Sequence, residues 1–225
     1  NVEKPVDAGA EGDRSDGRDL PSEWLEQYGD GAVYVTDQSG FDAVETESTR
    51  KLLGLFNESH MRYEADRAND IGGEPSIAEM TEKAIRILDN NDNGFFLMVE
   101  SGRIDHAHHA GNAAGALTDT IAFARAVEAA YNATNPNDTL ILVTADHSHV
   151  FTIGGYVTRG NPILGKAVYS PGGDAELAED DLPFTTLNYN NGIGFCDLGG
   201  ETDSDAGYGC AMAAGSRTDL TSVDT

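Results

Sequence analysis

The sequence predicts an α/β fold with a largely parallel sheet, on three observations. Residues 95–99 (FFLMV) and 139–143 (TLILV) are short, almost wholly apolar runs bounded by Asn, Asp and Gly, the pattern of strands buried on both faces. Between them residues 112–131 are rich in Ala, with Leu117, Ile121, Ala124 and Val127 at helical spacing, so strand, helix and strand make a crossover unit. Each run leads into a cluster of acidic and imidazole side chains, 100–109 (ESGRIDHAHH) and 144–149 (TADHSH), which together hold five of the six histidines. In open α/β sheets, residues far apart in sequence converge beyond the carboxyl ends of the strands.

The remaining elements follow in chain order. Residues 1–19 are acidic and Gly-rich and read as loop, and residues 22–27 suit a short helix capped by Ser22. Residues 33–35 are a strand candidate, and 41–55 contain a further helix candidate. A better helix opens after Pro75, because Ser76 and Glu79 form a capping box and Ile77, Met80, Ala84, Ile87 and Leu88 line one face. After Val157 the chain turns to Gly, Asn, Asp and Pro, with a short strand candidate at 184–188. From Gly199 to Thr225 large apolar residues are few, which predicts a partly mobile tail.

Composition bounds the function. The 225 residues suffice for one sizeable core. Acidic side chains number 39 against 14 basic ones, a formal charge of -25, which repels nucleic acid and anionic membranes. The same excess suits a protein kept soluble in high salt, which predicts a halophilic or marine source. No run of eighteen apolar residues occurs, so no membrane span is predicted. Cys196 and Cys210, fourteen residues apart in a Gly- and Asp-rich stretch, predict a disulfide in an oxidising compartment.

The two clusters have the layout of a bimetallic site. Asp105 and His109, four residues apart, face the same way on a helical turn, and the adjacent Asp146 and His147 can approach one ion from two directions. Carboxylate with imidazole is the ligand mixture that suits zinc, while carboxylate-rich positions suit magnesium. Plainer readings stand beside this. His106 and His108 also read as exposed imidazoles, the more so for His108; Glu100 alone reads equally as a solvated strand end, and His60 as a surface or packing residue.

Residues 95–105 with His109, and 143–151 (VTADHSHVF) with 154–156 (GGY), resemble the metal-binding core of the alkaline phosphatases, in particular the branch that includes the animal enzymes. The segments 24–25 (WL), 52–56 (LLGLF), 60–64 (HMRYE) and 79–82 (EMTE) match that family in order, so that roughly residues 10–200 are covered. The resemblance implies an alkaline-phosphatase-like α/β/α sandwich, with residues 1–156 part of the catalytic core and 157–225 an irregular, crown-like region and acidic tail. It implies phosphomonoester hydrolysis by two zinc ions and one magnesium through a phosphoserine intermediate. Asp105 and His109 would bind one zinc, Asp146 and His147 the other, and Glu100 the magnesium; His149 would partner the first zinc's carboxylate, and His106 would lie near the phosphate.

In this reading the nucleophilic serine, a clamping arginine and a third histidine of the first zinc are not in this chain, which resembles a central to C-terminal portion. The expectation is an incomplete, inactive piece that needs the missing segments of the same enzyme. When complete it would act on phosphate monoesters as a periplasmic or extracellular homodimer. The alternatives are a non-catalytic metal-binding fragment, or another member of the superfamily such as a sulfatase or phosphodiesterase; Glu100 favours the monoesterase. Where the animal enzymes have Phe-Glu at a calcium site, this chain has Phe56 and Asn57, with Glu58, Asp66 and Asp70 nearby, so a fourth metal is not expected.

Overall fold

The computed structural model describes residues 16–179 and 181–189 and divides into two compact units, one of residues up to Ile104 with Leu117–Val143, the other of Asp105–Ala116 with the chain from Thr144 onward. Cys196, Cys210 and the tail lie outside the described residues, as does most of the acidic entry.

The first unit opens with α1 (Leu20–Tyr28), whose cap is Asp19 and not the expected Ser22: the Asp19 carboxylate accepts the Ser22 backbone N–H, and Pro21 stands in the first turn where its missing donor is harmless. β1 (Ala32–Val35) follows as expected, then α2 (Gln38–Asp42), capped by Asp37 through the Gly40 N–H. The helix expected within 41–55 is replaced by the end of α2, a turn and β2 (Lys51–Gly54). β2 lies parallel to β1 in the register Ala32↔Lys51 to Val35↔Gly54. Pairing along β1 satisfies the backbone of this stretch and overrides its local helical pattern.

The core of this unit is Val35, Phe41, Val44 and Phe56, with Val33, Leu52, Met61, Met80 and Ile87 packed against it. Phe41 and Phe56 meet edge to face at 5.9 Å. Gly54 is required beside them, because a Cβ there would sit 2.7 Å from the Phe56 ring. The capping box forms at α3 (Ile77–Leu88): Ser76 Oγ accepts the Glu79 N–H at 3.2 Å, and Glu79 accepts the Ser76 N–H at 2.7 Å. The buried positions of α3 are Thr81 and Ile85, which the sequence reading did not place on the packed face.

The long helix between the two histidine clusters is present as α5 (Ala113–Ala133), but its buried face is Ala116, Asp119, Ala122 and Ala126. Ile121, expected inside, is exposed. The two apolar runs correct the expectation further. Neither 95–99 nor 139–143 forms a strand, although side chains alternate between half-buried and exposed along 95–99 and along 139–142; Phe96 is 89% and Leu142 82% exposed. A strand exists only beside a hydrogen-bonded neighbour, and among the described residues neither run has one.

The second unit takes in most of α4 (Arg103–His109), the start of α5, and an antiparallel pair, β3 (Phe151–Ile153) with β4 (Leu187–Tyr189). The strand candidate at 184–188 is thus displaced toward its carboxyl end, with Thr185 bridged instead to Lys166. Beyond the end of α4 at His109, Gly111 with a φ of 65° turns the chain sharply, and Asn112 then caps α5 by accepting the Gly115 N–H at 2.9 Å. Among the described residues no helix is long and apolar enough to cross a membrane.

Candidate metal centre

Asp105 and His109 share one face of α4, as their spacing requires, and the loop 144–150 brings His147 and His149 to the same carboxylate. Three imidazole Nε2 atoms converge on Asp105 Oδ1, from His149 at 2.8 Å, His109 at 3.5 Å and His147 at 3.5 Å. His147 Nε2 also lies 3.6 Å from Asp146 Oδ2, and its backbone N–H bonds the same carboxylate at 3.1 Å. The imidazoles crowd one another: His149 stands edge-on to His109 at 5.2 Å between ring centres and 5.0 Å from His147.

One ligand atom each from Asp105, His109 and His149 lies within 4.8 Å of the others, close enough to surround one cation. The donor set fits zinc in type, one carboxylate oxygen with imidazole nitrogens. A ring nitrogen without a proton offers its lone pair to a cation. Asp146 and His149 differ sharply in setting: the Asp146 side chain is 88% exposed, the His149 side chain 16%. His106 is half-buried on α4. Glu100 is an exposed side chain of the first unit, as is His60.

His108 corrects the plain reading made of it. It is half-buried, its Nδ1 pairs with the Tyr189 hydroxyl at 2.8 Å, and its ring stacks on His149 at 4.7 Å. Burial, followed by the neighbouring His149, pulls the His108 pKa below the usual imidazole range. Sequence reasoning missed Tyr189 altogether, because no local pattern links a residue after a Gly- and Pro-rich stretch to a helix eighty positions earlier.

At the position compared with a calcium site, Asn57 Nδ2 donates to Glu74 Oε1 at 3.1 Å, and the Arg62 N–H reaches Glu74 Oε2 at 2.8 Å. Glu74 is fully buried. The Glu74 carboxylate is thus met by two N–H donors, one of them the Asn57 amide that replaces the family's acidic side chain.

Fold and site together define a mixed α/β protein with a carboxylate–imidazole cluster, a candidate metal centre, built by a short helix and a loop. The alkaline phosphatase family profile matches residues 1–207, and the chain belongs to that family. It is 45% identical over 206 residues to the tissue-nonspecific alkaline phosphatase of Gallus gallus and 41% over 207 residues to that of Homo sapiens, in each case 91% of this chain and 38% of the relative. The alkaline phosphatase of Gadus morhua is 39% identical over 197 residues, 87% of this chain and 39% of that one. A solved alkaline phosphatase of Thermus thermophilus overlaps 51% of this chain and 23% of its own, with a TM-score of 0.45 and 34% identity. The chain thus spans about 38% of the curated relatives' length.

Proposed function

We propose that this chain contributes the metal-holding part of a phosphomonoesterase, and that its substrates are phosphate monoesters. The convergence of three imidazoles on Asp105 supports the reading most directly. Asp105 and His109 hold one zinc and Asp146 and His147 the second, with Glu100 holding magnesium by family resemblance. When bound, such ions polarise a phosphoryl oxygen and lower the pKa of a nucleophile or water. His149 donates from Nε2 to Asp105 and fixes the direction of its carboxylate. His106 lies toward the phosphate. The serine that carries the phosphoryl group belongs, in this reading, to a part of the polypeptide outside these 225 residues, as do the partners completing a homodimer; the export of the enzyme and the division of the chain at about residue 157 are parts of the same proposal.

Zinc titration of the 225-residue chain, with Asp105→Asn alongside, tests the centre. Replacement of the one anionic donor at the convergence lowers zinc affinity by on the order of 100-fold. Hydrolysis of a chromogenic phosphate monoester at alkaline pH, with zinc and magnesium, is expected to appear only when the remainder of the enzyme is supplied. A chain that takes up no zinc, or that binds it equally well as Asp105→Asn, sinks the assignment.

A further inference from the structure

The stack behind His149 is built by side chains that the metal centre itself does not use. Phe151 and Tyr189 are directly paired across β3 and β4, which places both rings on one face of the hairpin at 5.0 Å. His108 packs into that face, 5.0 Å from Phe151 and 5.8 Å from Tyr189, while its Nδ1 meets the Tyr189 hydroxyl. Its other contact is with His149, nearly parallel at 23° and 4.7 Å, and His149 Nε2 in turn bonds Asp105. The order of contact is therefore Tyr189, His108, His149, Asp105, running from the hairpin to the convergence point.

We infer that Tyr189 and His108 are positioning residues for the metal centre: together they fix the plane of His149 so that its Nε2–H points at Asp105, and through it they set how tightly the centre holds a cation. The inference rests on the metal-centre reading and adds two residues to it. A hydroxyl held by a hydrogen bond can lock one tautomer of an imidazole, and a stacked ring fixes the plane of its neighbour. With the Tyr189 hydroxyl as donor at 2.8 Å, Nδ1 is the acceptor and the His108 proton sits on Nε2. An unsupported His149 could turn about its Cβ–Cγ bond and present its other nitrogen or none. Asp105 would then face the cation with a free rotation that the bound state must remove.

Two measurements on the full 225-residue chain test this. The first is a double-mutant cycle in zinc affinity, with His108→Ala, His149→Ala and the pair. His108→Ala is expected to weaken zinc on the order of 10-fold in the wild-type background and to have no further effect once His149 is gone. Equal losses in both backgrounds would mean that His108 acts by some other route and would overturn the inference. Tyr189→Phe keeps the ring and the hairpin packing, so it serves where His108→Ala does not fold, with a smaller loss of the same sign; an unchanged affinity in Tyr189→Phe likewise counts against it.

The second measurement needs no metal: long-range imidazole 15N spectra of the metal-free protein read the tautomer of His149. A single Nε2–H form in the wild type that becomes a mixture in Tyr189→Phe or His108→Ala supports the positioning, even in a chain that binds no zinc and so fails the metal reading. A His149 signal identical in wild type and variants overturns the positioning, whatever the zinc titration shows.

Discussion

Asp119 gives a prediction whose size can be worked out. It lies on the buried face of α5, 6% exposed, and its Oδ2 accepts the Glu64 backbone N–H at 3.2 Å. Burial raises its pKa from 3.8 to about 6, against the pull of the Glu64 N–H and of Arg103; the nearby Glu64 and Asp66 carboxylates add to the rise. Because the folded-state value is the higher one, the folded protein keeps a proton that the unfolded chain releases above pH 3.8. The associated stability is whole below that pH, falls as pH rises, and is lost once pH has passed about 6. Asp119→Asn cannot ionise, keeps an acceptor for the Glu64 N–H and therefore escapes the fall. Between pH 5 and pH 8 the free energy of unfolding of Asp119→Asn should gain about 1.4 kcal/mol on the wild type. Urea unfolding at both pH values, followed by far-ultraviolet circular dichroism, measures that gap. A gap that stays constant or narrows as pH rises would refute the burial argument.

Other outcomes follow from the same structure. Glu74→Ala strands the Arg62 N–H and the Asn57 amide in a buried site and should cost about 2–5 kcal/mol, whereas Glu74→Gln, which keeps one acceptor oxygen, should cost less; equal losses in thermal or urea unfolding would refute the role given to the carboxylate. Ser76→Ala removes half of the capping box of α3 and should lower stability by about 1 kcal/mol, with Ser76→Thr close to wild type in thermal unfolding. With a formal charge of -25, the melting temperature should climb from low salt to molar NaCl as self-repulsion is screened; a flat or falling curve would remove the halophilic reading.

The sequence determined those features that depend on short spacings. Asp105 and His109 had to share a face of any helix drawn through them, Ser76 and Glu79 had to cap whatever helix followed, and the order of motifs carried family membership without reference to coordinates. Where a residue's state depends on a distant neighbour, only the tertiary structure could decide. β2 is a strand because β1 lies beside it, and 95–99 and 139–143 are not, because among the described residues nothing pairs with them, although their apolar pattern is the stronger of the two signals. The inner face of α5 is set by where alanines allow close approach rather than by where the larger side chains fall. His108 was indistinguishable from a solvated imidazole until the hairpin brought Tyr189 within 2.8 Å of it, since hydrogen bonding and stacking act over a few ångströms of space and leave no period in the chain.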